Sequence, residues 1–167
     1  RSSAAHHRYL YNELETRLDH IDTSKGKKTF AAEALHEVAE NIHKRSLVVI
    51  FSDMMDSSEN ADKVFQAMQH LRHNKHEVVV FHVVDKSKEL EFDYSNRPYT
   101  FVDMESGEEV KVNPADIRDH YTSQMDEFKS NLKIKCGQYL IDFVEADINE
   151  GVNPILLQYM LKRQKLF

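Results

Sequence analysis

The sequence predicts an α/β fold, a three-layer arrangement in which a parallel sheet is flanked by helices. Two runs rich in β-branched and other apolar residues, Leu47–Phe51 and Val78–Val84, indicate strands buried on both faces, as in parallel sheets. A third strand is predicted at Tyr139–Glu145. Segments with a helical period separate these runs, and crossovers of that length join parallel strands.

Each predicted helix is identified by apolar residues that recur every three or four positions. The helices are predicted at His6–Asp19, Phe30–Lys44, Asn60–Asn74, Pro114 to near Gly137, and Ile155–Lys165. Asparagine–proline pairs at 113–114 and 153–154 supply start signals for the last two helices. Short alternating runs at 90–94, 99–104 and 109–112 predict a small antiparallel excursion over residues 90–112.

Length and composition indicate a single globular domain spanning residues 1–167. The net charge is −6 and no basic cluster with interleaved aromatics occurs, so we expect no nucleic-acid partner. No apolar run approaches the roughly 20 residues that a membrane helix needs. Cys136 is the only cysteine, which excludes an intrachain disulfide and favours a cytoplasmic location. Because the chain begins at Arg1 without a methionine, we expect it to be a piece of a longer protein.

Several reactive side chains have simple structural explanations. His70, His73 and His76 are spaced by threes, but they fall at the polar end of a predicted helix with no cysteine or fourth ligand nearby in the sequence. We therefore expect these histidines to be solvated. Cys136 is expected to be a small buried apolar side chain. His82, inside a predicted strand, is expected to be a hydrogen-bonded core residue.

The candidate functional residues are Thr29, Ser52 and Asp53. Ser52 and Asp53 follow a predicted strand directly, and ligands of open α/β sheets bind just beyond the carboxyl ends of strands. The predicted helix Phe30–Lys44 runs antiparallel to that strand, so Thr29 comes to the same edge of the sheet. Hydroxyl and carboxylate oxygens are ligands that magnesium accepts while it keeps several waters. The simpler alternatives are a turn-forming or capping aspartate and a threonine N-cap.

An ordered set of segments resembles a known family, the bacterial proteins called domain of unknown function 58, and more broadly a von Willebrand factor type A domain. The resembling segments are Lys25–Thr29, Arg45–Asp53, His76–Asp85, Phe101–Glu108 and Leu157–Arg163. The resemblance implies a metal-ion-dependent adhesion site that is built from three loops. Thr29 matches the second of these loops, and Asp53, with Ser52 beside it, matches the third.

The first of the three loops is missing from this sequence. The family carries an Asp-x-Ser-x-Ser sequence after its opening strand, and no such sequence occurs here. Because residues 1–3 resemble the loop after the family's third strand, we expect the N-terminal strands of the fold to be missing from this chain. The metal site of this chain is then incomplete.

The resemblance implies a non-enzymatic, cytoplasmic protein-binding module. In such a module magnesium bridges the protein's own oxygens and an acidic side chain of a partner. Family members are often encoded beside MoxR-type AAA+ ATPases, so an ATPase of this type is the implied partner, with a role in chaperone-like assembly.

The residues leave an enzymatic alternative open. A magnesium-dependent phosphotransfer or phosphatase domain would use Asp53 as its nucleophile, with Asp56 or Asp85 as a helper. Lys86 is the nearest lysine that could balance the charge of a phosphate. No segment matches a phosphatase signature.

The absent opening strand also predicts self-association. In the strand order that the resemblance implies, Leu47–Phe51 lies between that strand and Val78–Val84, so one edge of Leu47–Phe51 loses its neighbour. Unpaired backbone groups and uncovered apolar side chains favour pairing with another copy. We expect a symmetric dimer through that edge, or through the helix His6–Asp19 laid across it.

We predict that this chain binds magnesium weakly or only through water at millimolar concentrations, so no tightly bound cofactor is expected. Two protein ligands leave the ion mostly hydrated, and magnesium loses water reluctantly. Isothermal titration calorimetry measures the affinity. A micromolar dissociation constant that disappears in Asp53→Ala would contradict the prediction.

Overall fold

The structure, a computed structural model, describes residues 3–19, 31–55, 58–103 and 107–164, without the side chains of Ser58 and Glu59. The helices are α1 (Ala4–Asp19), α2 (Ala31–Asn41), α3 (Ser58–His73), α4 (Pro114–Gln138) and α5 (Val152–Gln164). The strands are β1 (Leu47–Ser52), β2 (Glu77–Val84), β3 (Tyr99–Val102), β4 (Glu109–Val112) and β5 (Asp142–Asp147). One π-helical turn, Lys86–Leu90, follows β2.

The described residues divide into two compact units. The first contains α1, residues 101–103 and residues 107–110, and none of the residues of α1 is buried. The second contains residues 31–55, 58–100 and 111–164, and it carries the three-stranded sheet and its helices. The organisation of the whole chain as one domain stays a prediction.

The three-stranded sheet of the second unit is parallel, with the strand order β1-β2-β5. Ser52 of β1 lies opposite His82 of β2, and His82 lies opposite Glu145 of β5. The predicted parallel sheet with helical crossovers is therefore confirmed. β5 begins three residues later than predicted, because α4 continues to Gln138 and a turn with Leu140 at φ 56° precedes the strand.

The central strand β2 is buried on both faces and separates two apolar cores. Val78 and Val80 point to the face covered by α2, α3 and α4, where Met68 and Leu71 are fully buried. Val79 and Phe81 point to the other face, where Tyr159 of α5 packs its ring against Phe81. The alternation follows from the two-residue period of a strand, and it produces the predicted helix–sheet–helix layers. Other buried residues of these two cores are Ala32, Ala39, Val64, Phe65, Leu132, Cys136, Ile141, Val144 and Ala146.

The sequence-based expectation that the strand at Leu47–Phe51 is buried on both faces is wrong for this structure. Leu47, Val49 and Phe51 are 44%, 41% and 70% exposed, whereas Val48 and Ile50 pack against the core beneath α2 and α3. Within the described residues β1 has one strand neighbour, β2, and therefore forms an edge of the sheet. On this face α5 packs against Phe81 of β2 and against β5, and it leaves the apolar side chains of β1 exposed.

The antiparallel excursion is shorter than predicted. β3 and β4 form a separate two-stranded sheet, and in the turn between them the Gly107 amide donates to the carbonyl of Asp103. The predicted run at 90–94 is not a strand. Leu90 ends the π-helical turn and is buried, and the ring of Phe92 packs against Tyr121 of α4. Packing onto α4 thus overrides the alternating pattern of this segment.

No helix among the described residues combines the length and the apolar character that a membrane span requires.

Candidate metal site at the end of β1

Ser52 and Asp53 end β1 in a tight turn that their own side chains stabilise. The Met54 amide donates to Ser52 Oγ at 3.0 Å, and the Met55 amide donates to Asp53 Oδ1 at 3.2 Å. Met54 adopts a left-handed φ of 55° and is buried, which directs the chain away from the strand. Asp53 is exposed. Asp53 therefore acts as a turn former, as the simpler alternative predicts, and it is exposed to solvent at the same time.

A hydrogen bond from the His82 side chain stabilises this turn. Its Nε2 lies 2.9 Å from the backbone carbonyl of Asp53, and because a carbonyl only accepts, the ring nitrogen is the donor. The imidazole is fully buried between Phe128 and Phe143. Burial lowers the pKa of His82, against the opposing effects of the Asp53 carbonyl and nearby carboxylates. The expected hydrogen-bonded core histidine is confirmed, and the sequence did not indicate that its partner is the Asp53 backbone.

The direction of α2 agrees with the expected geometry of the site. His36 of α2 contacts His70 of α3, and the Asn74 side chain donates to the carbonyl of Ala39, so the two helices run in the same direction. Since α3 leads from the end of β1 to the start of β2, α2 begins at the edge of the sheet where Asp53 lies. Thr29 itself lies outside the described residues. Its predicted position beside Asp53 stays a prediction.

Ser52 and Asp53 offer hard oxygen atoms of the kind that magnesium accepts. The hydrogen bond from Met55 engages only Oδ1 of Asp53. Among the described residues no group of three or more histidine, cysteine, aspartate or glutamate side chains could hold a metal ion. The donor set is therefore chemically suitable for a hydrated magnesium ion, but it is a partial one.

The neighbouring strand ends carry two more carboxylates, and both are engaged in local hydrogen bonds. Asp85 accepts from the Ser87 hydroxyl, the Lys88 amide and the Asn149 side chain, and these bonds, led by that of Ser87, lower its pKa. Asp147 accepts from the amide and side chain of Asn149. Asn149 thereby links the ends of β2 and β5. Asp56, the other helper residue considered for catalysis, lies outside the described residues.

Two further expectations from the sequence can be compared with the structure. Cys136 is buried, and burial raises the pKa of its thiol to about 11, which confirms a structural rather than a nucleophilic cysteine. The expectation that the three histidines at the end of α3 are solvated is wrong for His76, which is 1% exposed and accepts the Ser46 amide at Nδ1. His70 is half-buried, and only His73 is exposed.

The fold and the site define the class of this protein. It is an α/β protein with a helix-covered parallel sheet and an exposed aspartate at the carboxyl end of a strand. A family model described as "Protein of unknown function DUF58" matches residues 1–131, which is more than half of the chain, so the chain belongs to the DUF58 family. Comparisons with curated proteins and with solved structures gave no match.

We predict that His82 makes the free energy of unfolding depend on pH. Its pKa is below 6.5 in the folded protein, so its contribution is present above about pH 6.5 and is lost as the pH falls below that value. Urea unfolding at several pH values from about 7 to about 5 measures the dependence. Stability should fall less steeply with decreasing pH in His82→Phe than in the wild type.

The matched control for this prediction is His73→Phe, which alters an exposed histidine. It should retain the wild-type slope. Equal slopes for His82→Phe and the wild type would show that the burial of His82 has no such effect.

Proposed function

We propose that this chain is part of a non-enzymatic, cytoplasmic protein-binding module of the von Willebrand factor A-like type. Its metal site would comprise Thr29, Ser52 and Asp53, and in a longer chain magnesium would bridge these oxygens to an acidic side chain of a partner. The observation that carries the proposal is the exposed Asp53 carboxylate at the end of β1, on the edge of the sheet where α2 begins. Ligands of parallel α/β sheets bind at such an edge.

The arrangement beneath Asp53 is suited to binding. His82 and the two side-chain bonds of the turn restrain its backbone, so the carboxylate is presented without a further rearrangement. A restrained ligand loses little conformational entropy when it binds a metal or a partner. A MoxR-type AAA+ ATPase is the proposed partner, on the basis of family resemblance alone.

The phosphotransfer alternative is less well supported by the contacts near Asp53. Asp85, its proposed helper, already accepts three hydrogen bonds and serves as the cap of the π-helical turn. Lys86 lies 3.9 Å from Glu91, which partly balances its charge. An enzyme of this kind needs an uncommitted second acid and a cation beside the nucleophile.

We predict that Asp53→Ala weakens capture of a MoxR-type AAA+ ATPase, because it removes the charged ligand of the proposed site. Immobilised protein and purified ATPase should be compared with magnesium and with EDTA. Asp119→Asn, which neutralises an exposed aspartate on α4, is the matched control and should bind as the wild type does. Capture that is equal for all three proteins would contradict the role of Asp53.

Incubation with acetyl phosphate separates the proposed module from the enzymatic alternative. The binding module predicts no covalent label and no turnover. Labelling that is present in the wild type and in Asp119→Asn, but absent in Asp53→Asn, would favour the phosphotransfer domain instead.

We also propose that this chain associates with a second copy of itself through β1. Leu47, Val49 and Phe51 form an exposed apolar row on a strand that has one strand neighbour within the described residues. The row contains no charge, and charges are the usual protection of an edge strand. Antiparallel pairing of two such edges would satisfy the backbone groups of both strands and join the two apolar rows on one continuous sheet.

Multi-angle light scattering in dilute solution should therefore give the mass of a dimer for the wild type. Val49→Lys should shift the protein to monomer, because it places a charge in the apolar row. Ile134→Lys, at a similarly exposed apolar position on α4, should remain dimeric. A wild-type monomer would overturn this association and leave the proposal for Asp53 intact.

A further inference from the structure

A pair of histidines joins α2 to α3 on the side of the sheet that α2, α3 and α4 cover. The Nδ1 atoms of His36 and His70 lie 3.2 Å apart, and the two ring centroids are 5.4 Å apart. Both side chains are half-buried, so they are partly shielded and still reachable from solvent. They are 34 positions apart in the sequence, and the packing of the two helices brings them together.

Two imidazole nitrogens at this separation can share either a proton or a metal ion. A zinc ion with bonds of 2.0–2.1 Å to nitrogen and tetrahedral geometry holds two such nitrogens about 3.3 Å apart. The observed separation is close to that value, so a metal could enter with small rotations of the rings. The proton-sharing arrangement is a neutral hydrogen bond, in which one Nδ1 donates and the other accepts.

We propose that His36 and His70 form a two-histidine site for a divalent transition metal ion of the zinc class. Imidazole prefers zinc, copper and nickel, whereas magnesium prefers oxygen ligands, so this site is chemically distinct from the one proposed at Asp53. Within the residues that the structure describes, no third histidine, cysteine or carboxylate completes a ligand set. Water fills the remaining positions of the metal.

The bound metal acts as a clamp between two helices. α2 and α3 together cover the core face of β1, through apolar residues such as Ala39, Val64 and Leu71. The unfolded chain does not hold residues 36 and 70 at a fixed distance, so the metal binds the folded state preferentially and stabilises it by mass action. This inference does not rest on the function proposed for Asp53.

Isothermal titration calorimetry with zinc chloride in a non-coordinating buffer at neutral pH tests the proposal. The wild type should bind zinc at this site. His36→Gln and His70→Gln should each weaken this binding by about tenfold or more, because each removes one of two protein ligands. At the same zinc concentration the melting temperature should also rise more in the wild type than in either variant.

His43→Gln and His73→Gln are the matched controls, because both alter exposed histidines close to the same helices. They should bind zinc as the wild type does. Circular dichroism establishes whether each variant is folded. If His36→Gln or His70→Gln does not fold, nickel is titrated into the wild type instead and its paramagnetic effect is followed by NMR. The ring signals of His36 and His70 should then broaden first.

The proposal is overturned if the wild type shows no zinc binding, or if both variants bind zinc as tightly as the wild type. The proposal is also overturned if nickel broadens the NMR signals of other histidines and leaves those of His36 and His70 unchanged. In each case the pair would be a hydrogen bond between helices and not a metal site.

Discussion

The burial of β2 on both faces is the constraint on which the rest of the second unit depends. Its odd- and even-numbered side chains enter two different cores, so one strand holds α2, α3 and α4 on one side and α5 on the other. Each fully buried aliphatic side chain in such a position contributes about 1.5–3 kcal/mol. Val78, Val79 and Val80 are all within 2% of full burial. No other strand among the described residues has this property.

The same strand connects the core to the candidate site. His82 is the one polar interruption in the buried part of β2, and its ring donates to the carbonyl of Asp53 in the turn that follows β1. A buried donor that is left without an acceptor is costly, so the turn and the strand stabilise each other. The exposed carboxylate of Asp53 is therefore anchored to the most buried element of the unit.

A second buried histidine contributes a contact between the same two strands. His76 lies just before β2, and its Nδ1 accepts the Ser46 amide just before β1, so the two parallel strands are also tied at their opposite ends. Arg72 adds a bond to the carbonyl of His76. The polar end of α3, which has the sequence pattern of a solvated segment, is in fact a structural junction.

The sequence by itself determined the order along the chain of the helices and of the three strands of the parallel sheet, and the position of Ser52 and Asp53 at a strand end. Local periodicity and the residues that end each run carry that information. It also indicated correctly that Cys136 and His82 are core residues. Only the tertiary structure decided that one face of β1 is exposed, because β1 and β2 are both largely apolar in sequence and differ in what packs against them.

Tertiary structure also determined the conformation and contacts of residues whose partners are distant in sequence. The run at 90–94 alternates like a strand, but packing against Tyr121 of α4 directs it into a turn. His70 was grouped by spacing with His73 and His76, and its actual neighbour is His36 on another helix. Spacing along one chain segment cannot reveal a contact that arises only when two helices pack against the same sheet.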